Sequence, residues 1–321
     1  MALASIPVDL FNPGQVFACI GFLEAADVLL GGAHGGFDWI KEAETRFEIR
    51  ADGTENPFGV VLEFLSTAEI RSCAHRGYEP PPKKKGKRGT TSVDEGDEDE
   101  EEAAGKAPEV LETFPASHAD PMALPVRLVS LADERCPAVL IAHWADGSTR
   151  NDFKLYSGNR SAASIVSAML QGKRKRTARK GAQAEQIKTR GVADLWKEHR
   201  HQMIARPFDV VTPMGGSFNF DPRGAWTAID AGYSPNDQKH SVEASPVVEM
   251  LAAIGLEHSR PNEFEMREVR YGVWQGLLPV VLARPAVGGV RVGAPMRLFQ
   301  FTLDLSGKNK IVTFAREETN P

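Results

Sequence analysis

Residues 12–30 read NPGQVFACIGFLEAADVLL, and this stretch decides the fold. Asn12-Pro13-Gly14 is a turn that can open a helix, and Gly31-Gly32 can end it. Between these two ends, apolar residues occupy nearly every side of the helix. A helix that is apolar all round is usually buried in the middle of a domain. We therefore predict that this helix forms the centre of the core.

The rest of the chain mixes helix and strand patterns, which predicts an α+β fold of helices and antiparallel strands. Asn56-Pro57 places a capping residue before a proline at the first helical position, so a helix should run from there to about Ile70. Further helices are predicted at residues 162–170, 185–201 and 246–256. Strands are predicted at residues 47–50, 126–131, 138–144, 265–274, 278–284, 296–305 and 310–314.

A charged insert at residues 79–108 separates an N-terminal region, 1–78, from an α+β body, 109–321. The insert contains three consecutive prolines, the basic run KKKGKR at 83–88 and eight acids between residues 92 and 102, with almost no large apolar residue. Such a segment cannot bury enough apolar surface to offset the entropy of ordering it. We predict a disordered linker whose acids partly screen the neighbouring bases.

Charge is distributed unevenly along the 321 residues. The net charge is −5, and without the eight acids of the insert it would be +3. Residues 173–206 contain eleven Lys or Arg and three acids, a local charge of +8. The partner that gains most from dense Lys and Arg is a polyanion, because binding releases its counterions.

Composition argues against several classes of protein. The three cysteines are far apart and odd in number, which fits neither a disulfide framework nor a zinc site. The N-terminus lacks a secretion signal, and no run approaches the ~18–20 apolar residues that span a bilayer. We expect a soluble cytoplasmic protein with no membrane partner, no bound metal and no cofactor.

The strongest candidate for function is the basic run KRKRTARK at residues 173–180. Gly172 and Gly181 bracket it between two predicted helices, so we expect an irregular loop, 172–181. Such a loop can neutralise several phosphates without dictating sequence. The alternative is a solvated surface loop with no partner. Lys188 and Arg190 follow in the same basic region.

Two other segments allow both a functional and a structural interpretation. Asn159 and Arg160 precede a predicted helix, where they could contact a phosphate or simply belong to its cap. Residues 214–226 are dense in glycine, aromatic and polar residues that could stack bases. The same aromatic residues could instead anchor a core in which Asp221 pairs with Arg223.

An enzyme would need convergent acids and bases, and the chain offers few. Glu24 and Asp27 lie about one turn apart on the apolar helix, and His199 and His201 would diverge on a helix. Cys19 lies in an apolar helix, where a thiolate is disfavoured. A metal-dependent nuclease and a protein-only scaffold stay open as alternatives.

Three phrases resemble one CRISPR-associated family, the compact large subunits of type I-U (I-G) Cascade surveillance complexes. These phrases are residues 12–27, residues 153–161, and residues 220–228 together with 232–235. The resemblance implies a non-catalytic subunit that contacts the crRNA 5′ end, the protospacer-adjacent duplex and the displaced strand. It also implies contacts with other Cascade subunits and a landing surface for the helicase-nuclease.

The resemblance, together with the basic run, defines a set of expected nucleic-acid contacts. Reading bases beside the protospacer would need a few well-placed Arg, Lys, Asn or Gln side chains, and Gln15, Asn219 and Arg223 join Asn159 and Arg160 as candidates. The full set is Lys173, Arg174, Lys175, Arg176, Arg179, Lys180, Lys188, Arg190, Asn159, Arg160, Gln15, Asn219 and Arg223. No catalytic residue is implied.

Overall fold

A computed structural model of the chain describes residues 1–41, 43–79, 107–112, 124–131, 136–142, 155, 161–179, 182–214, 216–224, 242–306 and 309–319. Its class is α+β, as predicted from the sequence. Almost all of the charged insert lies outside the described residues, as do Asn159, Arg160 and Lys180. The predictions that fall there stay predictions.

The described residues form helices, strands and short 3₁₀ turns. The helices are α1 (Pro13–Leu30), α2 (Pro57–Thr67), α3 (Ala162–Gln171), α4 (Val192–Ala205), α5 (Pro246–Gly255) and α6 (Val280–Val287). The first strands are β1 (Ala2–Pro7), β2 (His34–Asp38), β3 (Arg46–Ala51), β4 (Glu69–His75), β5 (Glu109–Leu111), β6 (Val126–Val129) and β7 (Val139–Ile141). Then follow β8 (Lys173–Arg179), β9 (Ala182–Thr189), β10 (Thr212–Pro213), β11 (Glu243–Ala244), β12 (Asn262–Glu265) and β13 (Glu268–Trp274). The last are β14 (Leu278–Pro279), β15 (Met296–Ser306), β16 (Asn309–Val312) and β17 (Arg316–Glu317).

Helix α1 is the centre of the core, as the opening stretch predicts. The Asn12 side chain caps it by accepting a hydrogen bond from the Gln15 backbone N–H, and Gly31 ends it with a φ of 83°. By length and composition α1 could cross a membrane, a test that we expected no segment to pass. However, 78% of it is buried inside the fold, so it packs as a core helix.

Helices α1 and α5 cross with their backbones in close contact. A Cβ atom built on Gly21 would lie under 3.0 Å from the Leu251 carbonyl oxygen. One built on Gly255 would lie under 3.0 Å from the Phe17 carbonyl oxygen. Each helix therefore contributes one glycine at the place where it meets the backbone of the other.

Three sheets surround this helix pair. Their strand orders are β1-β3-β2-β14, β12-β13-β15-β16 with β17 also on β15, and β5-β4-β6-β7. The first two sheets meet where the Trp274 indole N–H donates to the Gly35 carbonyl at 3.0 Å. In the third, β4 and β6 are antiparallel, whereas β4 and β5 run parallel with Cys73 opposite Glu109.

Most predicted elements are confirmed, and three need correction. The helix that begins after Asn56 ends at Thr67, and the chain through Ile70 enters strand β4. Residues 278–284 form mainly helix α6 rather than a strand, and the helix buries Val280, Ala283 and Val287 on one side. Periodicity cannot separate a short apolar run in a helix from one in a strand. The helix predicted at 185–201 begins only at Val192, because the residues before it pair as β9.

Candidate nucleic-acid interface

The basic run forms a β-hairpin, not the irregular loop that we predicted. Strand β8 pairs antiparallel with β9, with Arg174 opposite Ile187 and Arg176 opposite Glu185. The prediction was wrong because β8 lacks the apolar alternation that marks a strand, and its partner had been assigned to a helix. Of the basic residues at issue, β8 carries Lys173, Arg174, Lys175, Arg176 and Arg179, and β9 carries Lys188.

The root of the hairpin is fixed to the fold by close backbone contacts. Gly172 has a φ of 81°, and a Cβ atom on Gly191 would lie under 3.0 Å from the Gly172 nitrogen. The Arg174 guanidinium donates to the Asp194 carboxylate at 2.6 Å and to the Gln171 carbonyl at 2.9 Å. The hairpin therefore leaves α3 and returns to α4 from one anchored point.

Three of the expected contact residues help to build this root. Lys173 is only 9% exposed, and the charge of Arg174 is engaged by Asp194. Arg190 pairs with Glu198 of α4 at 2.6 Å, and its backbone N–H donates to the Thr212 hydroxyl at 3.3 Å. Lys175, Arg176 and Arg179 lie farther along β8, Lys188 lies on β9 beside the root, and Lys180 is outside the described residues. All five stay predicted phosphate contacts.

Gln15 and Arg223, which we expected to read bases, are engaged within the fold. Gln15 is 7% exposed, and its Oε1 atom accepts a hydrogen bond from the Asp9 N–H at 2.9 Å. The Arg223 guanidinium forms an ion pair with the Asp221 carboxylate, with 2.7 Å between Nη2 and Oδ2. It also donates a hydrogen bond to the Phe208 carbonyl at 2.8 Å. The geometry favours the structural interpretation of both residues, because their side chains already have partners inside the protein.

Asn219 lies in a strained turn beside this cluster. Its φ is 65°, a conformation that asparagine tolerates better than most residues. Its backbone N–H donates to the Ser217 hydroxyl at 3.2 Å, and its carbonyl accepts from the Val312 N–H at 3.3 Å. The turn explains the residue type without a ligand, and base contact by Asn219 stays a prediction.

A buried polar cluster joins two phrases that are about 200 residues apart in sequence. Asp221 accepts hydrogen bonds from the Asn12 side chain at 3.4 Å and from the Ser245 N–H at 3.0 Å. The Asp221 N–H donates to Glu249 at 2.8 Å. Asn12 and Ser245 cap α1 and α5, so Asp221 ties together the starts of the two core helices.

Sequence reasoning missed Ser245 and Glu249, although signals for both were present. Ser245 directly precedes Pro246, the usual arrangement at a helix start. Glu249 is the single acid in an otherwise apolar helix, and it is 1% exposed. A lone acid at such a position indicates a buried polar partner, because an unpartnered buried charge is costly.

Glu249 has an unusual electrostatic environment. Burial and the nearby Asp221 carboxylate raise the pKa of its carboxyl group from 4.5 to about 7, against the lowering effect of hydrogen bonds from backbone N–H groups. One of its oxygens, Oε2, has no hydrogen-bond partner among the described residues. Glu249 therefore gains a proton far more readily than an exposed glutamate.

We expect Glu249→Gln to flatten the dependence of folding stability on pH. Native Glu249 holds its proton between pH 4.5 and about 7, where the unfolded chain has lost it. The stability that this bound proton contributes to the folded state is therefore complete below pH 4.5 and is lost as the pH rises through about 7. The amide cannot ionise, so above pH 8 the variant should avoid a cost of roughly 3 kcal/mol. Urea unfolding between pH 5 and 8.5 measures this, with the exposed Glu265→Gln as the control. If the free energies of unfolding of the wild type and of Glu249→Gln changed in parallel with pH, the prediction would be wrong.

Glu24 and Asp27, which we considered for an enzyme, have structural partners. Glu24 is 5% exposed and forms a two-pronged pair with Arg284 at 2.7 and 2.8 Å. Asp27 accepts a hydrogen bond from the Ala33 N–H at 2.9 Å. Burial raises the pKa of the Cys19 thiol well above its usual range, which disfavours a thiolate. Across the described ranges, no group of three or more His, Cys, Asp or Glu side chains could hold a metal ion.

Comparison of the chain with protein-family models, curated proteins and solved structures gives no match. The candidate interface therefore rests on its own geometry and charge.

Proposed function

We propose that this protein is a non-catalytic subunit of a type I CRISPR surveillance complex, Cascade, acting in cytoplasmic antiviral defence. Its partners would be crRNA, target double-stranded DNA, the other Cascade subunits and the helicase-nuclease. The observation that carries the proposal is the basic hairpin β8–β9, which is anchored at its root and concentrates positive charge beyond it. The resemblance of three phrases to the Cascade large subunits gives the proposal its specific form.

Two of these phrases meet in space, which supports treating them as one structural unit rather than as unrelated matches. Asn12 of the first phrase contacts Asp221 of the third. Gly14 and Phe220 also approach closely, because a Cβ atom on Gly14 would lie under 3.0 Å from the Phe220 carbonyl oxygen. The phrases therefore describe the packing of the core, and the binding function belongs to the hairpin.

A hairpin of this charge suits the energetics of opening a DNA duplex. Replacing DNA base pairs with RNA–DNA pairs is nearly balanced in free energy, so modest contacts to the backbone can shift the equilibrium. Phosphate contacts give affinity and position without reading sequence. In the proposed complex, the hairpin holds the displaced strand, and protospacer-adjacent base contacts fall to Asn159, Arg160 and Asn219.

Neutralising the hairpin beyond its root is expected to weaken DNA binding without unfolding the protein. The variant combines Lys175→Gln, Arg176→Gln, Arg179→Gln and Lys180→Gln, and it spares the root residues Lys173 and Arg174. Removing up to four phosphate contacts should lower the affinity at least about tenfold and reduce the slope of log affinity against log salt by about 3–4. Fluorescence anisotropy over a salt series measures both, and thermal melting checks the fold.

A matched control removes the same charge from the other basic run. It combines Lys83→Gln, Lys84→Gln, Lys85→Gln and Lys87→Gln, and it should bind like the wild type. Equal losses in the two variants, or no loss in either, would refute the assignment to the hairpin.

Membership of the complex is tested separately by co-expression with the genomic neighbours. A discrete small RNA of uniform length should copurify with the protein, and an RNA-free protein without other subunits would count against Cascade.

A further inference from the structure

The guanidinium of Arg200 lies over the indole ring of Trp196, with 4.8 Å between its Cζ atom and the ring centroid. The two residues are four apart on α4, a spacing that puts side chains on one face of a helix. Trp196 is 8% exposed, whereas the Arg200 side chain is 55% exposed. The guanidinium therefore lies over a buried indole, while more than half of the Arg200 side chain is open to solvent.

Arg200 is also held in orientation by a neighbouring helix. Its Nη2 atom donates to Glu63 of α2 at 3.1 Å. An exposed ion pair of this kind adds little stability, but it limits the rotation of the side chain. The other described arginines that stack on aromatic rings, Arg270 and Arg297, are only 32% and 28% exposed. Among these three arginines, Arg200 has the most exposed side chain.

The pair lies close to the basic hairpin along the chain. Strand β9 leads through Arg190 and Gly191 directly into α4. Trp196 is five residues beyond Gly191, which is about 8 Å along a helix axis. Residues 197–202 are all exposed, and α4 kinks at His199 with φ −131° and ψ 28°. The stacked pair thus lies on the helix that leads directly away from the hairpin root.

We propose that Trp196 and Arg200 form a stacking platform for an unpaired base of single-stranded DNA whose phosphates contact the hairpin. Aromatic rings and guanidinium planes both bind bases by stacking, and they do so with little sequence preference because every base has a π-face. A base inside a duplex is already covered by its neighbours, so the platform selects single strands. The inference rests on the proposed function, in which the hairpin holds the displaced DNA strand.

Arg200→Lys is the test variant, because it keeps the charge and removes the planar group. The full-length protein is titrated with a single-stranded 12-mer containing 2-aminopurine, with the same 12-mer carrying central abasic sites, and with the matching duplex. The wild type should bind the intact strand about fivefold or more tightly than the abasic strand and should quench 2-aminopurine. Arg200→Lys should lose that preference and the quenching, while its salt slope and its duplex affinity stay unchanged.

Arg206→Lys is the matched control, because Arg206 is also exposed but pairs with the carboxylates of Glu44 and Asp209. It should behave like the wild type in every titration. Equal effects of Arg200→Lys and Arg206→Lys, or no preference of the wild type for intact over abasic strands, would overturn the platform while leaving the hairpin result standing. Tighter binding of an RNA 12-mer than of DNA would overturn the choice of DNA. A hairpin variant that binds like the wild type would overturn the proposed function itself.

Discussion

Gly21→Ala is expected to destabilise the protein by about 3 kcal/mol. The added methyl group would fall on the backbone of α5, under 3.0 Å from the Leu251 carbonyl oxygen. A backbone cannot rotate aside as a side chain can, so the two core helices would have to separate along their contact. Overpacking of this kind typically costs 1–3 kcal/mol and sometimes more. Chemical denaturation followed by circular dichroism measures the loss.

Gly59→Ala provides the matched control for this prediction. Gly59 also lies inside a helix, α2, but a Cβ atom there would meet side-chain atoms of Ile204 and Asn56 at ordinary distances of 3.7 and 3.8 Å. Alanine has the better helix propensity, so this variant should gain up to about 1 kcal/mol. The two substitutions are chemically identical, but they should change the free energy of unfolding in opposite directions because only the one at Gly21 meets a backbone. A Gly21→Ala protein as stable as the wild type would show that the helices do not cross in this way.

Asp221→Ala is expected to cost about 3–5 kcal/mol of folding stability. Its side chain is fully buried and accepts hydrogen bonds from Arg223, from the Asn12 side chain and from the Ser245 N–H. Removing the carboxylate leaves the Arg223 charge without its counter-ion and leaves two buried donors unpaired. The starts of α1 and α5 should loosen together, which hydrogen exchange of their first-turn amides would detect.

The control for Asp221→Ala is Asp209→Ala, which also removes a carboxylate from an arginine. Asp209 and Arg206 are each 46% exposed, and pairs in water contribute less than about 1 kcal/mol. A comparable small loss in both variants would mean that the Asp221 cluster is not a buried network.

The parts of the fold that the sequence predicts well are those whose signals are local. The apolar stretch at residues 12–30 identifies α1 as buried, because no side of it is suited to water. Asn56-Pro57 marks the start of α2 through its capping chemistry. Where α1 lies relative to α5 could not be predicted, since Gly21 and Gly255 are recognisable as contact points only when both helices are in place.

Local signals fail where pairing decides the structure. Residues 173–179 carry no strand pattern, and they form β8 because β9 supplies the hydrogen bonds. The same holds for Asp221, whose partners Asn12 and Ser245 are distant in sequence. The sequence shows the positive charge that suggests a nucleic-acid partner. It does not show which basic residues belong to the hairpin root and which lie outside it. Arg174 and Arg190 count as positive charges in the sequence, whereas in the fold each is paired with an acid of α4.

The parallel pairing of β4 with β5 constrains the length of the charged insert but not its composition. Two neighbouring parallel strands need a return connection of a dozen or more residues, whereas antiparallel strands can be joined by two. The chain between His75 and Glu109 must therefore be long for β5 to pair with β4 in this direction. Nothing in that pairing depends on whether the connection is acidic, basic or neutral. Topology thus sets a minimum length for the insert, and its charge is free to change under other demands, such as those of a binding partner.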